Sequence, residues 1–226
     1  MRRIMTRFIA DTALVGVLLF GTARTFAWES AWVLLALLLI VRVVGARVVY
    51  RINPALLHDR AKLPVHADQP WADRLLVTAV LSTGILGLPV VAALDVFRWH
   101  AFAQPAPLLR GLGLALFILG WSLKSVALRE NSFAVPVVRL QLEREHALVD
   151  SGVYGLIRHP FYAADPLILV GLGLWLGSYL AVLLAVVPLT FLFVRISLEE
   201  RFLRRELPGY DAYVLRVPHR LIPGVW

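Results

Sequence analysis

Apolar stretches of membrane-spanning length recur along this chain, and no other feature restricts its fold so strongly. The hydrocarbon layer of a bilayer is about 30 Å thick and each helical residue rises about 1.5 Å, so about 20 apolar residues cross it. Residues 8–27 and 31–50 meet that length, separated only by Trp28, Glu29 and Ser30, which predicts a tight helical hairpin. Further stretches cover about 74–94 and 108–128. A last apolar block, 161–196, exceeds one ordinary helix and is interrupted at Gly177-Ser178-Tyr179, so it reads as two antiparallel spans. Backbone polar groups in lipid must be paired within the segment, which makes each span a helix. The expected fold is all-α and polytopic, with about six transmembrane helices, the last two forming a hairpin followed by a C-terminal amphipathic helix.

Composition agrees, since 59% of the 226 residues are hydrophobic and 17% charged, with a mean hydropathy of +0.74. Arg2, Arg3 and Arg7 precede the first span as in a secretory leader. The apolar run exceeds the 7–15 residues of a leader and lacks a clean small-residue cleavage site, so we read it as a retained anchor. Basic residues concentrate at the N-terminus, over 42–62, over 124–158 and over 195–220, whereas the intervening loops hold only Arg98 among them. By the positive-inside rule both termini are cytoplasmic, and the setting we assign is a bacterial inner membrane. The net charge of +8 then reports topology and contact with anionic membrane lipids. Without a basic soluble domain, nucleic acid is excluded as a partner. The chain has no cysteine, which removes disulfides, thiolate metal sites and cysteine nucleophiles; no metal is expected.

Ionisable residues within spans are costly unless paired or hydrated, and five stand out: Asp11, Arg42, Lys124, Asp165 and Arg195. Arg42 and Lys124 lie near span ends, where long side chains snorkel to the interface. Asp165 lies inside the fifth span and is followed by Pro166, which frees a backbone carbonyl. The interval before that span is denser in chemistry. Val138-Arg139-Leu140-Gln141 reads as an extended piece, Asp150-Ser151-Gly152 as a turn, and Pro160 as the first residue of the next helix, with His159 at its N-terminus. Unpaired N–H groups there suit an anionic ligand, and Arg158 adds to that field; helix capping by His159 and lipid-phosphate binding by Arg158 are equally compatible. At the end of the sixth span Arg195 and Glu199 lie one turn apart, which allows a local ion pair. Glu200 points about 100° away from Glu199 and can face a different partner.

The string Gly152-Val153-Tyr154-Gly155-Leu156-Ile157-Arg158-His159-Pro160-Phe161-Tyr162, followed by Glu199-Glu200 and then by Tyr210, Tyr213 and Val217, resembles the isoprenylcysteine carboxyl methyltransferase and phospholipid methyltransferase superfamily. The resemblance extends back through Val138-Arg139-Leu140-Gln141 and Leu128-Arg129-Glu130-Asn131, and more weakly to Asn53-Pro54-Ala55-Leu56-Leu57. It implies an integral membrane methyltransferase that uses S-adenosylmethionine. By position it assigns Gln141, Val149, Gly152, Tyr154, Arg158, His159, Tyr162, Glu199 and Glu200 to cofactor binding, and Arg195, Glu200 and Asn131 to catalysis. The implied organisation is a segment 1–106, holding three spans and a cytoplasmic loop at 51–72, and a catalytic core 107–226 with a cofactor loop at 129–160. Two departures are visible: Val153 stands where the family usually has proline, and Ala164 where it usually has glycine.

Methyl transfer is an in-line displacement, governed by positioning and desolvation. A carboxylate acceptor needs no base, and Arg195 with Asn131 would hold its oxygen. An amine or alcohol must lose a proton, for which Asp165 and Glu199 are the candidates. The acceptor is expected to be lipophilic and to enter sideways between helices. Two other readings are compatible with the spans: a sterol-type reductase that binds NADPH, and a non-catalytic membrane protein or transporter on the same scaffold.

Overall fold

The computed structural model describes residues 1–61, 70–135 and 147–226, which are helical wherever they are regular. The first hairpin pairs α1 (Arg2–Ala23) with α2 (Glu29–Ile52). α1 starts well before the apolar run, because its arginines lie outside the span and continue the helix. It stops earlier than the run, at Arg24, which takes the left-handed conformation (φ 57°). A short helix, α3 (Pro54–Arg60), follows at once: Asn53 Oδ1 accepts from the Leu56 N–H at 3.2 Å and Pro54 occupies the first turn. The expected loop at 51–72 is therefore helical over most of its described part.

α4 (Trp71–Trp99) passes through two wide, π-helical turns at Leu81–Gly87 and Asp95–Trp99. It extends beyond the expected end at 94 because Asp95 is satisfied inside the bundle. Asp95 is 3% exposed, and its carboxylate accepts from Ser178 Oγ at 2.6 Å and from the Ala101 N–H at 2.9 Å. α5 (Pro107–Glu130) is followed, after a 3₁₀ turn at Gly152–Gly155, by α6 (Pro160–Leu176). α7 (Tyr179–Glu206) leads into the short α8 (Tyr210–Arg216). The break between α6 and α7 falls where expected: Gly177 adopts φ 90° and Ser178 Oγ caps α7 on the Ala181 N–H. Five of the described helices are long and apolar enough to cross a membrane, and α6 is a shorter apolar sixth.

α5 and α6 pack through glycines. A Cβ on Gly171 would lie 2.5 Å from the Gly113 carbonyl oxygen and 2.7 Å from the Phe117 nitrogen. Lipid chains offer helices no hydrophobic reason to associate, so close backbone approach supplies the attraction. Gly171→Leu forces the seam apart. Its cost is expected to reach at least the overpacking range of about 1–3 kcal/mol, read as a melting temperature several degrees lower in detergent; an unchanged melt would contradict the seam. The main apolar core, including Leu19, Leu34, Ala92, Phe117 and Leu176, links α1, α2, α4, α5 and α6.

Candidate functional site

At the other end of the bundle the helices diverge around a cavity of about 430 Å³. Ile4 of α1 and Leu207 beyond α7 both border it, so the start of α1 and the end of α7 lie at the same end of the bundle. One part of its wall is apolar, with Val77, Leu81 and Ile85 from α4 and Leu189 and Leu192 from α7. The wide turn at Leu81–Gly87 bows α4 at this wall, where Gly84 stands close to Pro188. The other part carries Tyr154, His159, Tyr162, Arg195, Glu199 and Tyr210.

Three charge networks shape the polar part. In the first, Tyr162 Oη donates to Glu199 Oε2 at 2.7 Å and accepts from Arg195 Nη1 at 2.6 Å. Arg195 Nε in turn donates to Asp73 Oδ1 of α4 at 2.7 Å. The phenol thus bridges an acid and a guanidinium one helical turn apart, and Asp73 orients the guanidinium from behind. The His159 and Tyr162 rings stack, with centroids 5.7 Å apart.

The second network centres on Glu200, which is 2% exposed. Its Oε1 accepts from Arg158 Nε at 2.7 Å and lies 3.2 Å from His159 Nε2, while Oε2 accepts from Arg220 Nε at 2.8 Å. Arg158 Nη1 donates to the Val217 carbonyl at 2.7 Å, and the backbone N–H groups of Arg158 and His159 donate to the carbonyls of His219 and Arg220. The C-terminal tail is thereby clamped to the start of α6. Glu200 stands behind the cavity wall rather than in it.

The third lies deeper among the spans. Lys124 Nζ pairs with Asp165 Oδ1 at 2.8 Å, and Arg42 with Asp11 at 2.7 Å. Both cations border the cavity. Snorkelling, the expectation for Arg42 and Lys124, is replaced by ion pairing, because an acid on a neighbouring helix lies within reach of each. Asp165, a candidate base, is held by Lys124. Arg60, grouped with the topology charges by sequence, also borders the cavity. Its guanidinium lies over the Phe161 ring, 4.4 Å from the centroid, and donates to the Ala134 carbonyl.

Of the residues singled out from sequence, Asn131, Val149, Tyr154, Arg158, His159, Tyr162, Arg195 and Glu199 border the cavity, and Gly152 and Glu200 do not. Gln141 and the extended piece around it lie outside the described residues. Gly152 acts at one remove: at φ 56° it leaves room for Glu130, whose Oε2 accepts from the Val153 N–H at 2.7 Å, and a Cβ there would come 2.3 Å from that oxygen. His159 makes no side-chain cap on α6, since its ring is turned to Glu200. Burial pushes the Tyr154, Tyr210 and Tyr213 hydroxyls well above the ordinary phenol range, so all three remain neutral. Asn131 Oδ1 accepts from the Phe133 N–H at 2.8 Å, and Tyr213 Oη donates to the Tyr154 carbonyl at 2.7 Å. The Tyr210 hydroxyl, buried at the cavity wall, has no partner among the described residues.

Sequence reasoning missed Asp73, Arg60, Arg220 and the role of Tyr210. Arg60 carried a usable signal: Asn53-Pro54 announces a helix, and Arg60 follows Leu56 by four residues and Leu57 by three. Those leucines are buried, so the arginine shares their inward face. For Asp73 no local pattern distinguishes the residue from an ordinary acid at a span end.

Residues 109–208 match the family model described as phospholipid methyltransferase. Protein-S-isoprenylcysteine O-methyltransferase B of Arabidopsis thaliana is 34% identical over 110 residues, 47% of this chain and 55% of the plant protein. A cobalt-zinc-cadmium resistance protein of Cupriavidus metallidurans is 32% identical over 152 residues, 64% of this chain and 59% of that protein. The matched regions therefore span little more than half the length of these relatives. The solved structure of the eukaryotic intramembrane Ras methyltransferase, isoprenylcysteine carboxyl methyltransferase, superposes with a TM-score of 0.56 at 20% identity, covering 94% of this chain and 75% of that one. At that identity the likeness concerns the fold.

Proposed function

We propose, for a chain that belongs to the isoprenylcysteine carboxyl methyltransferase and phospholipid methyltransferase superfamily, that it methylates a lipophilic carboxylate using S-adenosylmethionine. The observation that carries this reading is the continuity of the cavity. A wall of apolar side chains from α4 and α7 runs directly into the Arg195–Tyr162–Glu199 relay. An amphiphile fits such a space with its chain among the helices and its head group at the relay.

The polar part also suits the cofactor, which carries an ammonium, a carboxylate and a sulfonium. Glu199 supplies an acid, His159, Tyr154 and Tyr162 supply ring faces and edges, and the Tyr210 hydroxyl, without a partner among the described residues, supplies a buried polar group that a ligand can satisfy. Val149 and Asn131 border the same space, and Gln141 belongs to the adjoining segment. Arg158, Glu200 and Gly152 contribute by building the wall. S-Adenosylmethionine supplies an electrophilic sulfonium methyl, so that a carboxylate oxygen taking it forms one C–O bond as the C–S bond breaks, with no proton to remove. The protein's share is geometric: Arg195, fixed by Asp73 and Tyr162, holds the acceptor oxygen, and the apolar wall excludes water. We assign the cavity end of the bundle, with both termini, to the cytoplasmic side of a bacterial inner membrane, where membrane lipids surround the spans.

Calorimetric titration of the folded protein with S-adenosylhomocysteine is the direct test. Saturable binding in the micromolar range, weakened at least tenfold in Tyr210→Phe or Glu199→Gln, is expected. No heat of binding at millimolar ligand, in protein with a cooperative melt, would sink the reading.

A further inference from the structure

We propose that Arg60, on the short helix α3, binds the acceptor's carboxylate and makes the site selective for anionic over amine head groups. The inference rests on the methyltransferase reading for the identity of the acceptor, but the site itself is argued from the charges bordering the cavity.

Of the five lysine and arginine side chains among the described residues that border the cavity, four are matched by acids: Arg42 by Asp11, Lys124 by Asp165, Arg158 by Glu200 and Arg195 by Asp73. Arg60 has no acid partner among the described residues. Its contacts among the described residues are the Ala134 carbonyl and the Phe161 ring face, and neither carries a formal charge. Burial pushes its guanidinium down to about 10, and the Arg195 charge acts in the same direction. Tyr162, Tyr154 and Asp165 act the other way without offsetting the burial, and an anion entering the cavity would supply the ion-pair partner that Arg60 lacks among the described residues. A buried cation is costly unless it is paired. The structure nonetheless places this one at the cavity, with Leu56 and Leu57 of α3 buried and Asn53 capping the helix.

The same arrangement disfavours an amine acceptor. An ammonium head group would meet Arg60, Arg195 and Lys124, and conversion to the nucleophilic free amine requires a base. Asp165 is already paired with Lys124, and Glu199 with the Tyr162 hydroxyl. A carboxylate needs no base and gains from each cation.

The test compares an acid with its own methyl ester, which has the same lipid chain and no charge. N-acetyl-S-farnesylcysteine and palmitate, each with its methyl ester, are titrated into full-length protein in nanodiscs, as wild type, Arg60→Gln, Arg60→Met and Arg60→Lys. Wild type is expected to prefer each acid over its ester by about 10- to 100-fold, the range of a charge-assisted hydrogen bond. Arg60→Gln and Arg60→Met lower that preference at least tenfold, and Arg60→Lys retains most of it. A purely structural role would weaken acid and ester alike and leave the ratio unchanged, which would overturn the proposal. So would failure of wild type to bind either acid, or methylation of phosphatidylethanolamine vesicles with the acids inert. S-Adenosylhomocysteine binding, measured on the same samples, separates the two readings: acid-over-ester preference without it keeps the Arg60 site and removes the methyltransferase.

Discussion

Replacing Glu200 with alanine is expected to loosen the whole cavity end of the molecule and to leave the intrinsic affinity for S-adenosylhomocysteine largely intact. Glu200 is the common acceptor for Arg158, His159 and Arg220, and its side chain is 2% exposed, against 4% for Arg158. Removing it strands two guanidinium groups, one of them fully enclosed. Breaking a buried pair in this way costs about 3–5 kcal/mol, because the remaining charge keeps its desolvation penalty without its partner. The damage spreads beyond the pair, since Arg158 also holds the Val217 carbonyl and the tail pairs with the start of α6. A thermal melt in detergent should fall by about ten degrees or more. Combining Glu200→Ala with Arg220→Ala should cost less than the sum of the single changes, the signature of coupled neighbours. The motif resemblance leads to the opposite expectation, with Glu200 contacting the cofactor. Weakened binding at an unchanged melt would favour that role and refute the one argued from burial.

Arg195→Lys is expected to have the largest effect on turnover. The planar guanidinium spans Asp73 on α4 and Tyr162 on α6 at 2.7 and 2.6 Å while facing the cavity. A lysine can keep the charge and one contact, but it cannot present two fixed donors to Asp73 and Tyr162 in one plane. Loss of one preorganised donor at a reacting oxygen costs about 10²- to 10³-fold in kcat, and that is the expected fall for methyl transfer to a carboxylate. The retained positive charge opposite Asp73 keeps the protein folded, so S-adenosylhomocysteine affinity should change by less than about threefold. A kcat within a factor of a few of wild type would exclude Arg195 from the reaction. A large loss of cofactor affinity would move it to the cofactor's side of the site.

These two residues also mark where reading the sequence succeeds. Arg195, Glu199 and Glu200 stood out because they are charged residues at the end of an apolar span, and the 100° step between adjacent helical positions anticipated that Glu199 and Glu200 would face different partners. They do, Tyr162 for one and the Arg158–His159–Arg220 cluster for the other. The local pair expected between Arg195 and Glu199 is instead drawn through the Tyr162 hydroxyl. That hydroxyl reaches them only because Pro160 starts α6 where it does. Asp95 illustrates the converse: an acid next to an apolar run looks like a loop residue until the Ser178 hydroxyl is found beside it.

The sequence by itself determined the all-α membrane architecture, the break near Gly177-Ser178 and the start of α6 at Pro160, because hydropathy, helix capping and proline geometry act over a few residues or one span. The first hairpin turn, expected at 28–30, falls at 24–28, since α1 stops at Ala23 and Glu29 already opens α2. Tertiary structure alone decided which charges are matched. Arg195 finds Asp73 at a separation of 122 residues, Arg158 finds Glu200 at 42, and Arg42 finds Asp11 at 31. Those meetings depend on the rotation of each helix about its axis and on its closeness to a neighbour, set here by the glycine seam of α5 and α6 and the wide turn of α4. Coulomb and hydrogen-bond energies fall off over a few ångströms, so a small rotation decides whether an arginine is a spent ion pair or, like Arg60, a cation facing a cavity.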